Sequence, residues 1–234
     1  MKDNYKLVFI QTDYEVEREL DALMMLKLKQ IDGLIIGSRS CEWEIVEEYA
    51  KYGPITVLED GRGRNVSSIF FDHHGRFTRA LTYLWDKGHR KIGYCLARRS
   101  SPNSLRRTAA YRDFLAGRQQ AYQPDYVFYE CALMEDGEWI MERILRMENP
   151  PTALLVTSDQ VAAGILAYCS ERGIDVPDKL AIVGFDNQPI AKMLKITTFE
   201  IPLAEIGRRL FRQILAGEPT HMEIPLHLIE RSTV

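Results

Sequence analysis

Short, β-rich apolar runs alternate with amphipathic stretches along this chain, and no other feature narrows its possible folds as much. KLVFI (6–10) precedes a helical pattern from Glu15 to Gln30, and GLIIG (33–37) precedes a helix from Trp43 to Tyr49, followed by PITVLE (54–59) and SSIFF (67–71). A helix from Phe77 to Lys87 then leads to KIGYCL (91–96), a helix from Ser104 to Leu115, YVFYE (126–130) and a helix from Gly137 to Met147. TALLVT (152–157), a helix from Val161 to Arg172, LAIVGF (180–185) and a helix from Leu203 to Leu215 complete the pattern, with two extended pieces in MEIPLHLIE (222–230). Strands separated by helices need crossover connections, so the pattern predicts parallel sheets covered by helices. The strands outnumber those of one typical compact sheet, which predicts two lobes.

The helix boundaries have local causes. Gly88 and Gly173 fall just past predicted helix ends, where a left-handed residue closes the last turn and glycine adopts it at least cost. Asp136 and Asp159 stand at predicted starts, where a side-chain oxygen can cap free amides. On the first helix Val16, Leu20, Leu23 and Met24 form the apolar stripe expected of a helix lying on a sheet.

Composition excludes several classes. The 234 residues are 46% hydrophobic and 27% charged, enough to bury a core without disulfide or metal support. Thirty Lys and Arg against 33 Asp and Glu give a net charge of −3, so the chain lacks the overall basic field of a nucleic-acid module. Cys41, Cys95, Cys131 and Cys169 match no zinc or redox spacing and read as reduced core thiols. There is no apolar run of signal-peptide or membrane-spanning character, which predicts a cytoplasmic protein without membrane contact.

Four constellations offer chemistry. Asp72-His73-His74 follows SSIFF, at the strand end where open α/β sheets place ligands. The triplet resembles the signature of the DHH phosphoesterases, but that family needs a histidine farther upstream, and none precedes His73. His89, between Gly88 and Arg90, reads as a helix-end histidine packing on or bonding the terminal carbonyls. Arg98, Arg99, Arg106 and Arg107 lie between a strand and a helix, where a planar guanidinium suits an anion or a hydroxylated ligand. Asp159 opens a helix and Asp186 ends a strand. Asp159 has a capping role available and Asp186 has none, which makes Asp186 the better ligand candidate. No G-x-S-x-G, Walker or G-x-G-x-x-G motif occurs, so nucleophilic, phosphate-loop and dinucleotide chemistry lack support.

In order and spacing, IDGLIIGS (31–38), GPITVLE (53–59), KGHRKIGYCLA (87–97), SLRRTAAYRDFL (104–115), PPTALLVTSDQVAAGILAYCSERGIDVPDKLAIVGFDN (150–187) and the ending LIERSTV resemble the effector-binding core of the LacI/GalR family of bacterial transcriptional regulators. The resemblance implies an α/β fold of two doubly wound parallel-sheet lobes hinged by crossovers, of the type I periplasmic-binding-protein kind. The N-terminal lobe would span 1–71 plus 201–218, and the C-terminal lobe 72–200 plus 219–234. It also implies a non-enzyme without cofactor or metal, which senses a small effector in the interlobe cleft and forms a homodimer. That effector would be a sugar, a sugar phosphate or a nucleobase-like compound. Arg107 and Asp186 fall at the principal polar pocket positions, with Asn103, Ser158, Phe71, Glu59, Leu133 and Leu203 at further ones. Glu59 replaces the usual Asp, and Leu133 stands where many members have an aromatic. Asp72-His73-His74 falls where the family has Asp-Asn at the crossover. Relative to the family pattern, KLVFIQTDY aligns with the second strand, so the helix-turn-helix headpiece, through which operator DNA is read, and the first strand and helix of the core would be missing. A sugar-binding transport protein shares this fold and would require export.

Overall fold

The computed structural model describes residues 4–225 and 227–234. In chain order the elements are α1 (Val16–Lys27), β1 (Leu34–Ile36), α2 (Trp43–Tyr49), β2 (Ile55–Val57), β3 (Ser67–Phe70), α3 (His73–Asp86) and β4 (Ile92–Cys95). These are followed by α4 (Pro102–Ala116), β5 (Val127–Phe128), α5 (Asp136–Leu145), β6 (Ala153–Val156), α6 (Asp159–Glu171) and β7 (Ala181–Asp186). The last are α7 (Pro189–Met193), β8 (Thr197–Glu200), α8 (Leu203–Ala216), β9 (His221–Glu223) and β10 (His227–Ile229).

Two compact units emerge, one of Met1–Phe71 with Leu203–Pro225 and the other of Asp72–Pro202 with Leu226–Val234. Residues 219–225 thus sit in the first unit rather than the second. The cause is β9, which pairs in parallel with β3 through Ser68 and His221, Ile69 and Met222, Phe70 and Glu223.

The first unit is a parallel sheet in the order β1-β2-β3-β9. Leu23 and Leu26 of α1, Val46 of α2 and Val57 of β2 form its driest core. The α1 stripe is rotated from its expected setting. Val16 and Met24 are exposed, while Glu19 is buried and accepts from the Ser40 amide at 2.6 Å and the Cys41 amide at 3.3 Å. Two amides without other partners make a buried carboxylate tolerable there. Lys6–Ile10, expected as a strand, forms none, and Phe9 is 92% exposed. An apolar run suits a strand only when a sheet edge pairs with it, and local composition cannot supply that edge.

The second unit is a six-stranded sheet in the order β10-β8-β7-β6-β4-β5, parallel except for β10. Alternate strand residues feed two separate cores, as the pleat requires. Tyr94, Leu155, Val183 and Phe199 pack with α3 and α4, while Cys95, Leu154, Val156 and Ile182 pack with α5 and α6. Gly88 (φ +97°) and Gly173 (φ +64°) close α3 and α6 in the left-handed region. Two elements, α7 and β8, have no counterpart in the sequence reading. Thr197 and Thr198 make β8 look polar, yet both are fully buried within the sheet. All four cysteines are free and buried. Among the described residues, no helix is long and apolar enough to cross a membrane.

Candidate functional site

The strand order of the second unit's sheet reverses at β4: β5 lies on one side of it and β6, β7 and β8 on the other. Crevices beyond the C-terminal ends of strands at such a reversal are the usual ligand sites of open α/β sheets. The loops leaving β4, β6 and β7 deliver Asn103 and Arg107, Ser158, and Asp186 to that end.

Arg107 reaches its place through a well-defined helix start. The Ser101 hydroxyl accepts from the Ser104 amide at 3.1 Å, and Pro102 occupies the first turn, where its missing N–H costs nothing. Asn103 lies one turn before Arg107 on α4, exposed. The Arg107 guanidinium carbon is 6.0 Å from the centre of the Phe185 ring. Lost hydration pulls its pKa down to about 10, against the opposing attraction of Asp186. Among the described residues it has no hydrogen-bond or ion-pair partner.

Asp186 ends β7 at φ +101°, and Asn187 follows at φ +52°. Two consecutive non-glycine residues in the left-handed region store strain, which folded proteins concentrate at functional positions. Burial raises the Asp186 pKa, opposed by the Gln188 side-chain amide at 3.5 Å and by the Arg107 charge. A desolvated donor fork and a strained acceptor, each sensing the other's charge, can bind adjacent hydroxyls of a polar ligand.

The other expected contacts are placed less uniformly. Ser158 caps α6, its hydroxyl accepting from the Gln160 amide at 3.2 Å. Asp159 is therefore not the cap. It is fully buried, and its carboxylate accepts from the Gln188 amide at 2.8 Å and the Thr198 hydroxyl at 2.7 Å. Likewise Asp136 lies inside α5 and accepts from the Ala132 and Leu133 amides rather than capping the helix. Leu133 is 61% exposed. In the first unit Leu203 opens α8 at 67% exposure and Phe71, just past β3, is buried. Glu59 is held by Arg39, Nε to Oε2 at 3.1 Å, and the Arg39 guanidinium stacks 4.3 Å from the Trp43 ring centre.

Asp72-His73-His74 is the start of a helix. The Asp72 carboxylate caps α3 by accepting from the Gly75 amide at 2.9 Å, and His74 Nε2 lies 2.9 Å from Asp113 Oδ2 on α4. The two rings are successive residues of one helix and diverge. Among the described residues, no group of three or more His, Cys, Asp or Glu is placed to hold a metal. His73 is drawn into the site instead. Burial, and then the charges of Arg107, Arg76 and Arg106, lower its pKa to about 3, so it sits beside Arg107 as a neutral imidazole. His89 bonds Thr152 Oγ1 at 3.1 Å through its ring, and its backbone amide donates to the Leu84 carbonyl of α3 at 3.1 Å.

Sequence reasoning missed the roles of Arg39, His73 and Asp159. The signal for Arg39 is its place at the C-terminal end of a strand, the criterion that selected Asp186.

Residues 81–234, more than half of the chain, match the family described as periplasmic binding protein-like domain, the class to which this fold belongs. The chain is 36% identical over 232 residues to the uncharacterized HTH-type transcriptional regulator YkvZ of Bacillus subtilis (strain 168), covering 97% of this chain and 72% of that protein. It is 33% identical over 233 residues to the NTD biosynthesis operon regulator NtdR of the same organism, covering 98% and 71%. A LacI family transcriptional regulator from Lactobacillus casei, solved with bound glucose, superposes with a TM-score of 0.88 at 25% identity over 100% of this chain and 90% of that one. The same regulator with bound sucrose gives 0.89. This chain belongs to the LacI/GalR family of transcriptional regulators and constitutes its effector-sensing core.

Proposed function

We propose that this chain binds a small, hydroxyl-rich effector at the C-terminal edge of the second unit's sheet and releases it unchanged. The observation that carries this reading is Arg107, desolvated and hydrogen-bonded to no described protein group, within the electrostatic reach of the Asp186 carboxylate, which a strained backbone holds in place. Burying a guanidinium without a partner is costly, and a ligand hydroxyl, carboxylate or phosphate would relieve that cost. Asn103 and Ser158 extend the site on the same unit, with Leu133 as an apolar neighbour. The glucose and sucrose bound by the Lactobacillus casei relative support a sugar, among effector classes that also include sugar phosphates and nucleobase-like compounds. The protein acts as a cytoplasmic homodimer, and operator DNA is read by a helix-turn-helix outside these residues.

Thermal-shift titration with glucose, sucrose, sugar phosphates and nucleosides tests the reading, because a ligand that binds only the folded state raises its stability. The expected result is a concentration-dependent rise with at least one compound, abolished by Arg107→Ala and by Asp186→Ala. A rise that survives both substitutions would move the site elsewhere. Manganese-dependent phosphodiesterase activity lost in His73→Ala would replace the regulator reading with a catalytic one.

A further inference from the structure

We propose that Asp159 is a positioning residue for the effector contact Asp186: its buried carboxylate fixes the Asp186-Asn187-Gln188 turn. This inference rests on the role given to Asp186 above.

The turn is held at both ends. On one side the Asp159 carboxylate accepts from the Gln188 amide at 2.8 Å and from the Thr198 hydroxyl of β8 at 2.7 Å. On the other, Arg231 Nη2 donates to Asn187 Oδ1 at 2.8 Å, and Asn187 Nδ2 donates to Glu200 Oε1 at 3.1 Å. Asp186 sits between these clamps at φ +101°, a conformation its own sequence disfavours and its surroundings must impose. The sheet leaves room for Asp159 by means of a glycine. A Cβ at Gly184 of β7 would collide with Asp159 Oδ1, so no other residue fits there without displacing the carboxylate.

Asp159 makes none of the contacts expected of an effector ligand, since both its oxygens are committed inside the protein. Its neighbours set its charge. Burial raises its pKa to about 6, the Thr198 and Gln188 bonds oppose that rise, the Asp186 charge adds to it and Arg231 from the C-terminal segment lowers it. Hydrogen bonds to an ionised acceptor are roughly twice as strong as neutral ones. The ionised carboxylate above that range therefore grips the Gln188 amide harder than the protonated acid below it. Stability runs the opposite way, because a buried ionised carboxylate is costly at neutral pH.

Nuclear magnetic resonance on the ligand-free protein tests this. In the wild type the Gln188 amide proton shift should pass through an inflection near pH 6 between pH 5 and pH 8. In Asp159→Asn, a neutral isostere that retains both bonding partners, the inflection should vanish and Gln188 amide exchange at pH 7.5 should quicken about tenfold. Its melting temperature at pH 7.5 should be equal to or above that of the wild type, whereas a merely structural role predicts a fall. Thr198→Val, which removes one donor, should move the inflection to higher pH. A flat wild-type Gln188 profile, which needs no variant, overturns the inference, as does Asp159→Asn exchange equal to that of the wild type, and neither needs a ligand. If the turn responds as expected while Asp186→Ala leaves a sugar-induced thermal shift intact, the binding reading falls and the account of the turn stands. The reverse pattern overturns only the positioning role.

Discussion

Glu59 holds the Arg39 guanidinium with both carboxylate oxygens, at 3.1 Å from Nε and 3.4 Å from Nη2, joining the segments that leave β1 and β2. The side chains are only 14% and 19% exposed, so water screens the pair weakly. Each hydrogen bond to a charged group contributes about 1.5–3 kcal/mol. Glu59→Ala should therefore destabilise the first unit by about 2 kcal/mol or more, and Glu59→Gln by about half as much, in urea denaturation followed by circular dichroism. A loss below about 0.5 kcal/mol would place the pair among exposed ion pairs of little consequence.

Arg107→Lys separates charge from geometry at the proposed effector site. Lysine keeps the positive charge but loses the planar fork that engages two acceptors at once. Isothermal titration with the sugar giving the largest thermal shift should show at least tenfold weaker binding, with the melting temperature of the free protein unchanged or raised. Equal affinity would mean that the site uses only the charge.

Phe77 links α3 to the strand that carries Asp186. It is fully buried, edge-on to Tyr94 at 5.4 Å and stacked near Phe185 at 6.4 Å. Phe77→Ala removes a large buried ring and leaves a cavity, a change that costs about 3–5 kcal/mol. Effector affinity should fall in the same variant, because Phe185 packs against this ring and Asp186 is the next residue. Unchanged affinity in a destabilised but folded variant would separate that core from the site.

Two titrating groups should pull the pH dependence of stability in opposite directions. His73 has a folded pKa of about 3 against 6.5 for the free imidazole, so the unfolded chain alone takes up a proton as pH falls from 6.5, and stability is lost on acidification. Asp159 has a folded pKa of about 6 against 3.8, so its contribution is complete below 3.8 and is lost as pH rises to 6. Denaturation between pH 4 and pH 7 should show a smaller acid loss in His73→Gln and a larger one in Asp159→Asn. Parallel curves for all three proteins would show that neither group is perturbed.

Where elements announce themselves through period and punctuation, the sequence was a good guide. Trp43–Tyr49 forms the helix expected of it, and Gly88 and Gly173 close helices as their positions require. Reading failed where pairing outweighs composition. Lys6–Ile10 has strand character without a partner, while Thr197–Glu200, with two threonines, is an interior strand because β7 and β10 flank it. The site was partly legible for a similar reason. Arg107 and Asp186 stand out as polar groups at strand and helix ends, but Asp159 looks like a helix cap until Thr198 and Gln188 are seen converging on it from elsewhere in the chain. His73 was visible as part of a triplet, and only its burial, with the charges of Arg107, Arg76 and Arg106 around it, gives the ring its neutral state.

The second unit is stitched together by nearly the last residues of the chain. Thr233 exchanges two hydrogen bonds with Ile182, receiving its amide at 2.7 Å and donating a hydroxyl to its carbonyl at 2.6 Å, and also accepts the Thr197 amide at 2.9 Å. Arg231, clasping Asn187, arrives in the same stretch. The turn bearing Asp186 is thus held from both directions along the chain, by Asp159 ahead of it and by Arg231 well after it. Cleavage before Arg231 would unfasten β7, β8 and that turn at once.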